Sequence, residues 1–373
     1  MAKKITYNTD EGNQFTDWLI KGYENKIRKE YSKAEQEVEE KLREYLKSFE
    51  TKDEIRKEYL KKQYAKYQAG EISWNEYKRF QREYTTWRLG QVAIGERWEE
   101  MRNILAEDLT NAGMICQSML NEYMMEAYAV NFNYGTYLVE SESLVNTAFT
   151  LYDKSTMERL LRENPQLLPM MSDKTKERIF REKLELWNKQ KLTSALTQGI
   201  LQGESIPKIA KRFRNVAQMD YNQSVRTART AMTSAQNGGR LDSFKRADKM
   251  GIKLNKQWLA TIDGRTRHLH RMLMDVSVPI DEPFKVEGYE LMFPADPSGA
   301  PEMVYNCRCT MVSSLKGFEK KITDYNISER LGGMTFEEWQ EQDGKSQPID
   351  TQERKGKAIR ISYVNDYKRM KRA

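Results

Sequence analysis

Histidine is almost missing from this chain: 373 residues hold two, His268 and His270, and only three cysteines, Cys116, Cys307 and Cys309. Three thiols cannot make a disulfide framework. Cys307 and Cys309 also stand too close along one predicted strand to bridge comfortably, so reduced thiols are expected. No apolar run approaches the ~20 residues that cross a bilayer, and the basic stretch from Met1 to Gly12 leads into no hydrophobic targeting segment. The expectation is a protein with no membrane partner, kept in a cytoplasm-like compartment unless a larger particle carries it. Proline is scarce as well, and Pro279, Pro283, Pro294, Pro297 and Pro301 crowd into one short region.

What remains is charge and helix formers. Charged residues make up 31% and apolar ones 39%, with a mean hydropathy of −0.83. Tyr, Trp, Phe, Leu and Met nevertheless recur throughout, which separates the chain from disordered compositions. A net charge of +7 permits contact with polyanions but more often marks a solvated face.

From Ile27 the apolar positions Tyr31, Ala34, Val38, Leu42, Tyr45 and Phe49 step by threes and fours, an amphipathic helix with coiled-coil character. Thr51, with Asp53 and Glu54, reads as the cap of a second helix that ends near Gly70. Ser73 and Glu76 match a capping box before Tyr77, Phe80, Tyr84 and Trp87. The stretch from Val92 to Tyr128, rich in methionine, reads as a helix covered on more than one side, and 130–137, with Asn131, Asn133 and Gly135, as a loop. Pro165 and Pro169 bracket a break. Ser172 and Asp173 open another helix, and residues Gln198 to Ser205 read as a helix end and a helix start that hands over to Ile206 and Pro207; the next long helix runs from about Met219 to Lys249, with Gly238 and Gly239 weakening or kinking it. Residues 253–262 end with strand-like alternation, and Cys309 to Val312 reads as a closing strand. The fold class is therefore mainly α with a small α+β C-terminal domain: long N-terminal helical hairpins or a bundle, then helices packed on a short irregular β-sheet. The linear division is 1–190 extended helical region, 191–316 signature domain, and 317–373 polar linker and basic tail.

The distinctive chemistry lies between Trp258 and Met311. An ordered series runs through it: Arg229 and Thr230 on a helix, Asn237, Trp258 on a strand, then Asp263, Arg265, Thr266, Arg267 and His270, then Pro294, and finally Asn306, Cys307, Arg308 and Cys309. This series resembles the Mu F-like minor head, or head morphogenesis, proteins of tailed bacteriophages, over about Lys191 to Leu315. Ala231 departs from the acidic residue that often follows the Arg-Thr pair. The resemblance implies a low-copy minor capsid protein that associates with the portal protein during procapsid assembly and assists DNA packaging or ejection. Major capsid or scaffolding protein are further partners, the head interior is the location, and the host cytoplasm is the site of assembly.

Many relatives also look as if they carry a zinc-ligand set at the equivalents of Arg267, His270, Val304 and the cysteine run. Here His270, Cys307 and Cys309 remain, with His268 or Asp263 as a fourth candidate, and zinc needs about four such ligands. The expectation is no cofactor, with zinc as the alternative. The preferred reading is a clasp in which Asp263, Arg265, Arg267 and Asn306 tie a loop to the last strand. The enzymatic alternative is a metal-dependent nuclease using His268, His270, Asp263 and Asn306. A DNA-binding alternative places double-stranded DNA on the basic tail, through Arg354, Lys355, Lys357, Arg360, Lys368, Arg369, Lys371 and Arg372, with strong salt dependence.

Overall fold

In a computed structural model of the chain, residues 10–90, 96–143, 174–202, 204–315 and 335–340 are described. Five long helices carry most of them: α1 (Glu11–Gln68), α2 (Trp74–Arg88), α3 (Glu96–Ser143), α4 (Lys174–Leu201) and α5 (Ile206–Lys249). The chain is mainly α with a small antiparallel sheet toward its C-terminal side, as the composition and patterning predict. No helix among the described residues is long and apolar enough to cross a membrane. By contact the chain gathers into two units that interleave along the sequence, one within 1–24, 119–172 and 225–373, the other within 25–118 and 173–224. The linear division at 190 and 316 follows motif boundaries, whereas these units follow packing.

The second of these units is built on the predicted stripe. Ile27, Tyr31, Ala34, Val38, Leu42, Tyr45 and Phe49 are all buried. The expected helix break at Thr51 is absent, because α1 continues to Gln68. Asp53 is a buried anchor rather than a capping acid. It accepts from the Tyr84 hydroxyl at 2.8 Å and pairs with Arg88 at 3.1 Å and Lys57 at 3.2 Å. A buried carboxylate is tolerable only when so compensated. The Ser73–Glu76 capping box forms at the start of α2, with both reciprocal bonds present. The helix start read at Ile206 is observed, and the long helix read from about Met219 is its unbroken continuation; Pro207 sits in the first turn, where a missing N–H costs nothing.

In the first unit the predicted loop at 130–137 is helix, since α3 runs on to Ser143 and is buried from Ala127 through Ser141. Asn131 and Gly135 look like loop residues because their local preferences oppose a helix; tertiary contacts override them. A side chain on Gly135 would begin 2.1 Å from Ser243 Oγ. Asn131 hydrogen-bonds the Ala127 carbonyl at 2.9 Å and Thr16 at 3.0 Å. Gly238 and Gly239 lie within α5, which runs through them to Lys249 as the sequence indicates. A Cβ on Gly239 would lie 2.3 Å from the Tyr128 carbonyl oxygen and 3.1 Å from the Phe132 nitrogen. The glycine therefore permits backbone-to-backbone approach of α5 and α3. Gly239→Ala is expected to lose about 1–3 kcal/mol by overpacking, although alanine favours an isolated helix by about 1 kcal/mol. A denaturant titration showing the variant to be the more stable protein would refute the contact.

The sheet follows α5. Strand β1 (Leu254–Leu259) is central, flanked by β2 (Ser277–Pro279) and β5 (Thr310–Leu315), both antiparallel to it. Its register with β5 runs from Leu254 opposite Leu315 to Leu259 opposite Thr310. All six β1 residues are buried. Lys256 survives there by donating to the Met292 carbonyl at 2.8 Å and lying over the Phe284 ring; burial pushes its ammonium down to about 8. A hairpin of β3 (Phe284–Val286) and β4 (Tyr289–Leu291) turns at Glu287 and Gly288, both with positive φ, as a two-residue hairpin loop requires. Two short helices, α6 (His268–Met272) and α7 (Pro301–Val304), precede β2 and β5 respectively.

Beyond Leu315 the purely polar expectation needs correction. A short helix α8 (Phe336–Gln340) brings Phe336 and Trp339 into full burial. Phe336 meets the Tyr134 ring edge-on at 5.1 Å, and the Trp339 indole donates to Glu140 at 2.7 Å. The break at Pro165 and Pro169 and the basic tail from Arg354 to Arg372 lie outside the described residues.

Candidate functional site

The signature residues converge where β1, α6 and β5 meet α5 and the first turns of α1. After β1 the chain turns at Asp263, whose Oδ1 accepts from the Arg265 backbone N–H at 2.9 Å. Both its oxygens receive Arg308, at 2.6 and 2.7 Å. This two-pronged pair, helped by the Arg265 amide, holds the carboxyl well below the usual carboxylate range. Asp263 thus pairs with Arg308 rather than with Arg265 or Arg267. The Thr261 hydroxyl donates to the Arg308 carbonyl at 2.8 Å, Thr266 to the Thr261 carbonyl, and Arg267 to the Tyr305 carbonyl. Asn306 adopts φ 55°, the left-handed region that asparagine tolerates. Its backbone N–H is taken by Thr230 at 3.0 Å, and Arg229, one residue earlier, pairs with Glu24 of α1 at 2.7 Å.

In the segment just before β5, Cys307 and Cys309 turn their thiols to His270, whereas Arg308 between them turns to Asp263. Both thiols are 2% exposed and face the equally buried His270. His270 Nδ1 lies 3.4 Å from Cys309 Sγ and 3.7 Å from Cys307 Sγ. The Trp258 ring, fully buried, covers the imidazole edge-on at 5.7 Å. A hydrogen bond from Cys307 and the neighbouring His270 push the Cys309 thiol down, favouring its thiolate. His268, two residues along α6, is exposed and outside this cluster. A cleft of about 580 Å³ adjoins the cluster, lined by His270, Cys307 and Cys309 and by Arg265, Arg267 and Arg308. Asp17 also lines it, with its carboxyl raised by burial against the opposing pull of Lys21 and Arg308.

Beneath the signature is a buried polar network of which sequence reasoning singled out only Asn237. Asn237 donates to the Cys309 carbonyl at 3.1 Å and accepts from the Thr310 hydroxyl at 3.1 Å. Gln236 donates to that hydroxyl at 3.0 Å and to Asn13. Arg240, with 0% exposure, binds both oxygens of the equally buried Asp10 at 2.6 and 2.8 Å, Asn131 Oδ1 at 3.0 Å and the Met311 carbonyl at 3.1 Å. The available signal was the clustering of Gln236, Asn237 and Arg240 on one side of an otherwise small-residue helix.

Residues 190–312 match the family model described as Phage Mu protein F like protein. The chain is 30% identical over 172 residues to an NAD(+)–arginine ADP-ribosyltransferase, EFV, of Enterococcus faecalis, a match that spans 46% of this chain and only 35% of that protein. It is 26% identical over 251 residues to Minor head protein GP7 of Bacillus phage SPP1, spanning 66% of this chain and 79% of the relative. No solved structure gives a significant match. Residues 190–312 are thus similar to the domain of the Mu F-like phage head morphogenesis proteins, and the motif series of the site lies within that similarity.

Proposed function

We propose that this chain is a structural, non-enzymatic minor head protein of a tailed phage or prophage. In this reading it associates with the portal protein in procapsid assembly, beside major capsid or scaffolding protein, and serves DNA packaging or ejection from inside the head. The likeness to a minor head protein along most of that relative's length supports it. The observation that carries it is the mutual saturation of the signature: Asp263 is spent on Arg308, Arg229 on Glu24, and Thr230 on the backbone of Asn306. A general base or a metal-binding carboxylate needs a free lone pair facing substrate, and Asp263 is instead locked by two charged bonds. The transferase activity in the name of the Enterococcus relative belongs to that protein, of which about a third is matched (35%), and it is not carried over.

The contact surface for the portal falls on the second half of α1 and on α2. Ile55 is 67% exposed, Tyr59 52% and Trp74 46%, and a groove nearby is lined by Tyr64, Tyr77, Tyr84, Leu60, Leu89 and Leu201. Exposed aromatics of this kind make strong anchors at interfaces. Co-expression with the portal protein of the same phage, followed by affinity capture of the portal, is expected to retain the wild-type chain. The triple variant Ile55→Ser, Tyr59→Ser, Trp74→Ser is expected to lose roughly tenfold or more of that retention, as for the removal of ~1.4 kcal/mol or more of contact energy. Equal retention of the folded variant would reject the surface. Turnover of NAD+ or of a phosphodiester by the purified chain would reject the structural reading itself.

A further inference from the structure

We propose that the cleft bounded by the Asp263–Arg267 turn, the Asn306–Arg308 segment and the first turns of α1 binds a phosphate group, free or carried on a small molecule, with Arg265 as its anchor. Most of the signature is spent internally, but two of its side chains are not. The Arg265 guanidinium makes no hydrogen bond or ion pair among the described residues; its backbone N–H alone is engaged. The Asn306 side chain is in the same position, since only its backbone N–H meets Thr230. Both line the cleft of about 580 Å³.

The charge of this cleft is one-sided. Arg229, Arg265, Arg267, Arg308 and Lys21 line it against the carboxylates of Asp17 and Glu24. Glu24 answers Arg229, and Asp263, from outside the lining, answers Arg308. Asp17 answers at most one of the other three cations, so two positive charges are left without a counter-charge. Burial raises the Asp17 carboxyl, and Lys21, Arg308 and Arg229 all pull against it, which shows their fields overlapping inside the cleft. Cationic walls around a concave, poorly solvated space focus their field there and draw in an anion. Arg267 spends one nitrogen on the Tyr305 carbonyl and keeps further donors for a ligand.

The walls also select the anion. A phosphate monoester carries about −1.5 to −2 at neutral pH, which matches two unanswered cations better than a single carboxylate does. Guanidinium forks bind phosphate oxygens in pairs, and the Asn306 amide adds a neutral donor. No Phe, Tyr or Trp lines the cleft, so nothing there stacks on a base, the usual means of holding single-stranded nucleic acid. The volume lies within the ~300–1,000 Å³ of ordinary small-molecule pockets, whereas the convex backbone of a duplex is gripped by an extended basic surface. The inference concerns a ligand and is independent of the head-assembly reading.

Calorimetric titration of the full chain with ribose 5-phosphate and with inorganic phosphate tests it, with ribose as the uncharged control. Both phosphates are expected to saturate one site per chain in competition with each other, and the tighter of the two names the source. Arg265→Gln should weaken both about tenfold, the loss of one charged hydrogen bond, and Arg265→Lys should recover part of that, having the charge without the fork. Because the Arg265 side chain holds nothing else in place, both variants are expected to melt with the wild type. Lys253→Gln, which removes an exposed cation paired with Asp248 away from the cleft, should bind as the wild type does. Neither phosphate saturating the wild type by roughly 10 mM, ribose binding as tightly, Arg265→Gln binding unchanged, or Lys253→Gln weakening binding equally would each overturn the proposal. So would displacement of ribose 5-phosphate by a short DNA duplex, which would assign the cleft to nucleic acid.

Discussion

Arg240→Ala is expected to cost about 3–5 kcal/mol of stability, because it strands the Asp10 carboxylate in a site where neither residue is exposed. The loss exceeds the worth of the pair itself. Coulomb attraction between buried charges is largely cancelled by the work of dehydrating them, so the damage comes from leaving one partner alone. The sharper experiment is therefore a cycle: Arg240→Met alone, Asp10→Leu alone, and both together. The double variant should be markedly more stable than the sum of the single losses, since an apolar pair leaves no orphaned charge. Some deficit will remain, because Arg240 also serves Asn131 and the Met311 carbonyl. Denaturant titration with a loss under about 1 kcal/mol for Arg240→Ala would show that the pair does not organise the first unit.

The second large effect is one of pH. Asp220 on α5 is 4% exposed, its Oδ2 has no hydrogen-bond partner among the described residues, and burial pushes its carboxyl up to about 7. The neighbouring Tyr31 hydroxyl is engaged with Ser224 at 2.9 Å. An acid whose folded pKa lies above its unfolded value takes up a proton on folding. Its penalty is absent below the unfolded pKa of about 3.9, grows as pH rises toward the folded value, and is constant above it. Asp220→Asn should abolish that slope. The difference in stability between variant and wild type is expected to shift in favour of the variant by roughly 2–4 kcal/mol between pH 4 and pH 8. A difference that does not change with pH would show that Asp220 is already ionised in the folded chain below neutrality.

Much of the helical framework was legible because it rests on local patterns. The stripe from Ile27 to Phe49 and the Ser73–Glu76 box were read correctly, since periodicity and capping are properties of a few neighbouring residues. The misreadings share one cause. Thr51, Asn131 and Gly135 have side chains, or lack them, in ways that argue against helix when taken alone, and each stands in a helix. For the last two a distant segment decides, Asn131 answering to Arg240 and Gly135 to Ser243, and the helix read through Gly239 holds there because the glycine admits the Tyr128 backbone. No window of sequence contains both members of such a pair. Helix α8 is different, since Thr335 and Glu338 form a capping box just before its buried aromatics. That signal was present and was overlooked in a polar stretch. At the candidate site the residue types were visible, but their pairing was not: Asp263 has Arg265 and Arg267 close in sequence and takes Arg308, 45 positions away.

The bond between Asp10 and Arg240, and that guanidinium's grip on the Met311 carbonyl, set a timetable for biogenesis. At synthesis rates of about 5–20 residues per second, roughly 300 residues must follow Asp10 off the ribosome before its unit can close, a delay of about 15–60 s. During that interval Phe15, Leu19 and Tyr23, which end fully sequestered, wait in water beside nascent helices. Chaperone occupancy of the emerging amino-terminal segment should therefore govern the yield of folded chain.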